Sequence, residues 1–225
     1  MNFKSVFSRL QAVVEFTNLQ HKLGPVEGFL LDPEAYALML LAAEGSGTGE
    51  IVEIGSFMGL STCWLAVGSA KAGRETVHAI DHFKGSPEHQ PGGGAACETV
   101  AEDGSTFAKF RENVRTAGVE DRVHAIVASS AEAAKGWDKP IRLLFIDGEH
   151  SYEAVKADFE LWSPFVVEGG IIAFHDVGNA EGATRFYEEF LKNTSDYRQM
   201  MRVASLAIVL KLTGASNPAE TEWGA

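Results

Sequence analysis

Short apolar runs alternate with amphipathic stretches along most of the chain. The runs are rich in valine and isoleucine and contain few polar residues. Such near-continuous apolar character is typical of strands that are covered on both faces, as in a parallel sheet. The pattern therefore predicts strands at Glu50–Ile54, Val77–Ile80, Val123–Val127, Leu143–Ile146, Ile171–Phe174 and Leu206–Leu212.

Helices between the strands are indicated by capping residues and by apolar positions at helical spacing. Asp32 and Pro33 are typical of an N-cap and a first helical position, and they lead into Ala35–Ala43. Gly118 is typical of the residue that follows a helix, here over Phe107–Thr116. The other helices expected are one capped by Ser151, with a stripe at Val155, Phe159 and Trp162, and one over Gly182–Lys192.

Strands that alternate with helices predict βαβ units and a doubly wound α/β sheet. Ligands of such sheets bind beyond the carboxyl ends of the strands. We expect an N-terminal helical segment, 1–44, that packs on the core, and a ligand-binding domain over 45–212. That domain contains an inserted glycine-rich loop, 82–105, and the chain ends in a flexible tail, 213–225.

Charge and cysteine content narrow the class of partner. The 225 residues include 19 Lys+Arg and 31 Asp+Glu, so the formal net charge is −12. This charge disfavours binding to nucleic-acid phosphates or to an anionic membrane, which leaves a small molecule as the expected partner. Cys63 and Cys97 cannot form a disulfide framework, and the N-terminus lacks the apolar core of a signal peptide. We therefore expect a cytoplasmic protein.

A glycine-containing loop follows the first predicted strand, which ends near Glu53. Gly55 would permit a tight turn and a close approach of the backbone to a ligand. Gly59 would allow the following helix to pack near the sheet, with its first amides facing a polar ligand group. Phe57 stands where a dinucleotide fingerprint has its middle glycine, which argues against a pyrophosphate. The loop is expected to bind a ligand rather than to be a purely structural turn.

Polar residues also follow the second and third predicted strands. Asp81 lies 22 residues after Gly59, close to the ~20 expected of an acid that binds a ribose. Ser129 and Ser130 stand where a cofactor base could be bound, although serines also cap helices. Further candidates for the wall of a substrate pocket lie in the glycine-rich loop: His82, Glu88 and His89.

The fourth and fifth predicted strands are each followed by acids and a histidine. Asp147 and His150 follow one, and His175 and Asp176 follow the other, so neighbouring strands would bring them together. The cluster could hold a divalent cation, with His175 as a ligand or as support for the ligands. His150, with an ordinary pKa of about 6.5, could accept a proton from a nucleophile. The alternatives are that His150 only hydrogen-bonds at the helix entrance and that Asp176 caps a turn.

In this order the motifs resemble the class I S-adenosylmethionine-dependent methyltransferases. The run E-I-G-S-F-M-G-L-S-T is similar to the cofactor loop of that family. The runs F-I-D-G-E-H-S-Y-E and G-G-I-I-A-F-H-D are similar to the branch called methyltransferase family 24. The resemblance spans Glu50 to Asp176 and implies a Rossmann-like, seven-stranded sheet, mostly parallel, with an antiparallel C-terminal strand.

The resemblance also implies a reaction and the residues that carry it. The reaction would be O-methylation of a small-molecule acceptor, with His150 as general base and with loop 82–105 as a lid. Similarity to catechol and macrolide-sugar O-methyltransferases implies Mg²⁺ or another divalent cation on Asp147, His175 and Asp176. The residues expected to bind S-adenosylmethionine are Glu53, Gly55, Ser56, Gly59, Ser61, Asp81, Ser129, Ser130 and Asp147.

Two other functions stay open on the sequence alone. One is an NAD(P)-dependent oxidoreductase on a related fold, against which Phe57 counts. The other is a non-catalytic cofactor-binding protein. Residues 1–31 could either cover the pocket or mediate a homodimer, and nothing in their pattern decides between these.

Overall fold

The N-terminal segment is helical. The computed structural model describes residues 3–214, apart from the side chains of 3–5, 8 and 9, so most of the expected tail lies outside the described residues. The first helices are α1 (Phe3–Leu23) and α2 (Asp32–Glu44). The prediction that Asp32 caps α2 is wrong, because the helix begins at Asp32 and its cap position is Leu31. The carboxylate of Glu34 accepts the Leu31 amide instead, at 2.9 Å.

Strands and helices then alternate, as predicted. The strands are β1 (Glu50–Ile54), β2 (Val77–Asp81), β3 (Val123–Val127), β4 (Ile141–Ile146), β5 (Val166–Phe174), β6 (Tyr197–Val203) and β7 (Leu206–Lys211). The further helices are α3 (Leu60–Lys71), α4 (Glu98–Asp103), α5 (Phe107–Ala117), α6 (Ser130–Ala134), α7 (Tyr152–Trp162) and α8 (Glu181–Asn193). Loop 82–105 is more ordered than expected, since it contains a 3₁₀ turn over Pro87–His89 as well as α4.

The strands form one mixed sheet. Within residues 3–214 it has seven strands in the order β3-β2-β1-β4-β5-β7-β6. The first five in this order are parallel, whereas β7 is antiparallel to both β5 and β6. The doubly wound, Rossmann-like fold with an antiparallel C-terminal end is therefore confirmed. Because β2, β1, β4 and β5 are adjacent and parallel, their carboxyl ends lie along one edge of the sheet.

Helices cover both faces of the sheet with separate apolar cores. On one face, α2, α3 and α5 contribute Leu38, Leu65 and Phe110 to the first core. On the other face, Phe159 of α7 and Phe190 of α8 belong to the second core. Each fully buried side chain of this size contributes about 1.5–3 kcal/mol relative to an exposed one. The two covered faces explain why the parallel strands read as unbroken apolar runs.

The N-terminal helices differ in how they join this body. Helix α2 lies so close to α3 that a Cβ on Gly68 would collide with the backbone of Met39. The first part of α1, by contrast, has an exposed apolar stripe: Val6, Phe7, Leu10, Val13 and Val14. No helix in the described part of the chain is long and apolar enough to cross a membrane.

Candidate active site

A cavity of about 610 Å³ opens at the carboxyl edge of the sheet. This volume is in the range of small-molecule sites. Most of the residues singled out from the sequence line it: Gly55, Ser56, Ser61, Asp81, His82, Glu88, His89, Ser129, Ser130, Asp147, His150, His175 and Asp176. Glu53 and Gly59 are not among its lining residues. The topology thus brings loops from opposite ends of the sequence to one pocket.

The loop between β1 and α3 needs its glycines for conformation and for space. Gly55 has a φ of +87°, and a Cβ there would collide with the backbone of Asp147. Gly59 has a φ of +89°, and a Cβ there would press on the ring of Phe110. Both values lie in the left-handed region, which glycine adopts at little cost. The sharp turn leaves the backbone of Ser56 and its neighbours on the cavity wall.

Glu53 holds this loop from behind. Its side chain is fully buried and accepts hydrogen bonds from the hydroxyls of Ser56 at 2.9 Å, Ser61 at 2.6 Å and Thr62. Burial raises the pKa of Glu53 to about 7, although the hydroxyl donors lower it. The carboxylate thus fixes Ser56 and Ser61, which do line the cavity, without facing the cavity itself.

Asp81 closes the loop from the neighbouring strand. One carboxylate oxygen accepts the amides of Ser56 at 3.0 Å and Phe57 at 2.8 Å, and the other accepts the amide of Phe83 at 2.6 Å. The side chain also lines the cavity. Asp81 therefore combines a structural role, holding the loop against β2, with a position open to a ligand.

The hydroxyls of Ser129 and Ser130 are both engaged within the protein. Ser129 caps α6, since its hydroxyl accepts the amide of Glu132 at 3.3 Å and donates to the Glu132 carboxylate at 2.7 Å. The hydroxyl oxygen of Ser130 accepts the indole N–H of Trp162 at 2.9 Å. The capping alternative considered for these serines is therefore present at Ser129.

The acids and histidines after β4 and β5 converge. Ile146 and Phe174, the last residues of these strands, are paired in the sheet. One ligand atom each from Asp147, His175 and Asp176 lies within 4.8 Å of the others. His175 Nδ1 lies 3.0 Å from Asp147 Oδ1 and 3.1 Å from Asp176 Oδ2. Two carboxylates and an imidazole are a donor set that suits a divalent cation.

A buried carboxylate from α2 supports this cluster. Glu34 Oε2 lies 3.2 Å from His175 Nε2, and Glu34 Oε1 accepts the amide and the hydroxyl of Ser205 at 2.8 and 2.6 Å. Burial opposes the charge on His175, but the carboxylates of Asp147, Asp176 and Glu34 hold its pKa well above the usual range. Glu34 could not be recognised as part of the site from sequence, because its contact with His175 joins residues that are 141 positions apart.

His150 lies between the cluster and loop 82–105. Its Nε2 is 3.1 Å from Asp176 Oδ2 and 3.8 Å from Asp147 Oδ1. Its Nδ1 is 3.1 Å from Oε1 of Glu88, in the 3₁₀ turn of the loop. Hydrogen bonding to Asp147, with the charges of Asp176 and Glu88, raises the pKa of His150. Each ring nitrogen thus has its own acidic neighbour.

Aromatic rings close one side of the cavity. His89 stacks on Phe57 with ring centroids 4.7 Å apart and on Phe29 with centroids 5.7 Å apart. These three rings come from the N-terminal segment, the glycine loop and loop 82–105. The phenylalanine that departs from a dinucleotide fingerprint therefore forms part of an aromatic wall.

The fold and the site together define a protein of the class I methyltransferase type, with a glycine loop after β1, an acid after β2 and an acidic cluster after β4 and β5. The sequence model of methyltransferase family 24, described as a methyltransferase domain, matches residues 52–177, more than half of the chain. The chain belongs to this family of S-adenosylmethionine-dependent methyltransferases. Among the functions left open by the sequence, methyl transfer is the one that the family supports.

Solved structures share the fold over most of their length. The cofactor-bound protein Rv0187 from MTB is 19% identical, with a TM-score of 0.61 and 89% of each chain covered. An O-methyltransferase from Bacillus cereus, solved with S-adenosylhomocysteine, is 20% identical, with a TM-score of 0.56 and 91% of each chain covered. The O-methyltransferase TomG from Streptomyces achromogenes, solved with S-adenosylmethionine, is 17% identical, with a TM-score of 0.58 and 89% coverage of each chain.

Proposed function

We propose that the chain transfers a methyl group from S-adenosylmethionine to a hydroxyl oxygen of a small molecule. One observation carries the proposal: the glycine loop and the cluster of acids and histidines line the same cavity. A cofactor and an acceptor bound there would lie side by side. The similarity to O-methyltransferases solved with S-adenosylmethionine or S-adenosylhomocysteine gives further support.

The cofactor would lie along the glycine loop. Gly55, Ser56 and Ser61 would contact its methionine end, with Glu53 and Gly59 shaping the loop from outside the cavity. Asp81 would accept hydrogen bonds from the ribose hydroxyls. Ser129, Ser130 and Asp147 complete the proposed contacts along the same wall. When bound, S-adenosylmethionine supplies a methyl group that its sulfonium charge has already activated.

His150 is the proposed general base. Its Nε2 would accept the hydroxyl proton as the new oxygen–carbon bond forms and the carbon–sulfur bond breaks, leaving neutral S-adenosylhomocysteine. Glu88, 3.1 Å from Nδ1, would hold the ring with Nε2 turned towards the acceptor. General-base catalysis contributes roughly 10²–10⁴ in rate. Closing the loop on the pocket would thus complete the base as well as exclude water.

Asp147, His175 and Asp176 are the proposed ligands of Mg²⁺ or another divalent cation. Their ligand atoms are close enough to bind a common ion. Glu34 contacts Nε2 of His175, so the other ring nitrogen, Nδ1, faces Asp147 and Asp176. A bound cation would lower the pKa of the acceptor hydroxyl and offset the carboxylate charge that raises the pKa of His150.

Calorimetry and turnover test the reaction. We expect S-adenosylmethionine and S-adenosylhomocysteine to bind, and labelled methyl to be transferred to a member of a panel of catechols and sugars. His150→Ala should keep its affinity for S-adenosylhomocysteine and lose about 10²–10⁴ in turnover. His21→Ala, an exposed histidine of α1, is the matched control. The proposal is refuted if neither ligand binds at a concentration of about 1 mM, which is far above the dissociation constants of ordinary ligands.

Manganese binding tests the metal site apart from activity. We expect the free Mn²⁺ spin-resonance signal to fall as protein is added, and Asp176→Asn to weaken this binding by about tenfold or more. Asp138→Asn, which changes an exposed acid outside the cavity, should bind Mn²⁺ like the wild type. Full methyl transfer in excess chelator would remove Asp176 from the ligand list.

A further inference from the structure

The wall of the cavity formed by α6 and α7 contains a carboxylate that the proposed mechanism does not use. Asp158 is only 8% exposed and lines the cavity. Its neighbours on the same wall of α7 are apolar: Ala154, Ala157 and Leu161. Asp158 also stands among the buried positions of α7, next to Phe159, where a charged residue is unexpected. A buried carboxylate at such a place requires a reason, because burial without hydrogen-bond donors costs free energy.

Two neighbours fix the position of this carboxylate. The Ser130 side chain is hydrogen-bonded to Asp158, and the Ser130 oxygen accepts the indole N–H of Trp162 at 2.9 Å. A Cβ built on Gly148 would lie 3.2 Å from Oδ2 of Asp158, so the carboxylate lies against the loop that follows β4. The three side chains form a hydrogen-bond chain in which the Trp162 indole donates to Ser130 and the Ser130 hydroxyl donates to Asp158, whose carboxylate is the final acceptor.

Within residues 3–214, no lysine or arginine lines the cavity, so neither residue type is available on this wall to neutralise Asp158. Burial and, to a smaller extent, the charge of Glu149 raise the pKa of Asp158 to about 6, although the hydrogen bond from Ser130 lowers it. An uncharged N–H donor from a ligand would satisfy this group without requiring a counter-ion.

The base of the cofactor needs such an acceptor, and the two serines are poorly suited to provide it. Ser129 is committed to Glu132 at the start of α6, and Ser130 is committed to Trp162 and Asp158. Asp158 is the carboxylate that lies next to them on the same wall. A carboxylate accepts strongly from an exocyclic amine, since hydrogen bonds to charged groups are stronger than neutral ones.

We infer that Asp158 accepts a hydrogen bond from the exocyclic amino group of the adenine of S-adenosylmethionine, and that Ser130 positions Asp158 for this contact. The inference rests on the proposed function, because adenine reaches this wall only as part of the cofactor. It assigns selection of the base to α7 rather than to the serines that follow β3.

Calorimetry with a matched pair of ligands tests the contact. One ligand is S-adenosylhomocysteine, and the other is its analogue with purine in place of adenine, which lacks only the amino group. We expect the wild type to bind the adenine ligand about 10- to 100-fold more tightly, the usual effect of one hydrogen bond to a charged acceptor. In Asp158→Ala the two affinities should become equal within about threefold, because the acceptor is gone.

Further variants separate recognition from folding. Asp158→Asn keeps an oxygen that can accept, so it should retain part of the preference for adenine. Ser130→Ala should reduce the preference without abolishing it, and this variant decides the question if Asp158→Ala fails to fold by thermal unfolding. Asp138→Ala, at an exposed position outside the cavity, should keep the full wild-type ratio.

The outcomes distinguish this inference from the proposed function. The assignment of Asp158 is overturned if the wild type binds the two ligands equally, or if the ratio of the two affinities is unchanged in both Asp158→Ala and Ser130→Ala. Either result leaves the proposed function standing. Failure of the wild type to bind S-adenosylhomocysteine at all overturns the proposed function and this inference with it.

Discussion

Glu53 is a buried carboxylate whose hydrogen-bond donors are hydroxyls rather than cations. Its pKa is raised from 4.5 to about 7, chiefly by burial. Between these two pH values the folded protein therefore binds more protons than the unfolded chain. The contribution of Glu53 to the free energy of unfolding falls as pH rises through this window and stays low above it.

We therefore expect Glu53→Gln to remove part of the pH dependence of stability. In urea unfolding at pH 5, 6, 7 and 8, the free energy of unfolding should fall less with rising pH in the variant than in the wild type, by on the order of 3 kcal/mol. The cause is that glutamine has no charge to bury. Glu120→Gln, which changes an exposed acid, should follow the wild-type curve. Parallel curves for Glu53→Gln and the wild type would show that Glu53 is not the group that titrates.

At the residue scale, the sequence could predict side chains whose position follows from a strand end. Asp81 closes a parallel strand, and Asp147 and Asp176 follow parallel strands within two residues, so the topology alone gathers them at one edge. Glu34 and Asp158 could not be found this way, because tertiary packing brings a helix to the edge. At Asp158 the one available signal was an acid among the apolar positions of α7.

At the scale of elements, loop 82–105 is a folded segment whose backbone closes on itself. The amides of Ala95 and Cys97 donate to the carbonyls of Glu88 and His89 at 3.1 and 3.0 Å. A Cβ on Gly93 would collide with the carbonyl of Glu88, whereas a Cβ on Gly94 would meet nothing within 4 Å. Of these two neighbouring glycines, Gly93 therefore has no room for a side chain, whereas Gly94 does.

We expect Gly93→Ala to loosen this segment and Gly94→Ala to leave it intact. Loss of its backbone hydrogen bonds, at about 1 kcal/mol each, should raise the rate of tryptic cleavage after the exposed Lys84 by about fivefold or more. Methyl transfer should fall as well, because the segment holds Glu88 against His150. Equal cleavage rates in the two variants would contradict a steric role for Gly93.

The same scale explains which elements were predictable. The parallel strands were found because burial on both faces leaves them apolar throughout. Strand β6 was missed, since most of its residues are exposed at the sheet edge and mix arginine and glutamine with methionine, and only its pairing with β7 makes it a strand. The start of β5 was also missed, because Val166–Phe174 contains Gly169 and Gly170 within the strand.

At the scale of the whole molecule, α2 is tied to the sheet by buried charges. Arg142 of β4 is fully buried and donates to the carbonyls of Leu41 and Ala42 at the end of α2. Its Nε also lies 2.7 Å from Glu75. At the other end of α2, Glu34 reaches His175 across the core. Helix α2 therefore neutralises or satisfies groups that the rest of the chain has buried.

We therefore expect the segment 1–44 and the domain 45–212 to unfold as one unit. Deleting residues 1–44 would remove Glu34 from its buried ion pair with His175, at about 3–5 kcal/mol. It would also break the hydrogen bonds that Arg142 donates to Leu41 and Ala42, at about 1.5–3 kcal/mol each. Together these losses approach the total stability of an ordinary domain, about 5–15 kcal/mol. The truncated chain should show no cooperative thermal transition.

A shorter deletion is the control for this prediction. Removing residues 1–14 takes away the exposed apolar stripe of α1 and keeps Glu34, Leu41 and Ala42, the α2 residues that contact His175 and Arg142. This variant should therefore keep a cooperative transition and its affinity for S-adenosylhomocysteine. Sedimentation of the same variant decides between the two roles left open for residues 1–31, because a homodimer formed through the stripe should become a monomer when the stripe is removed. If a chain that lacks 1–44 still folds and binds the cofactor, α2 is not required for the stability of the domain. In that case water or the remaining acids, Glu75 for Arg142 and Asp147 and Asp176 for His175, replace the partners lost with α2.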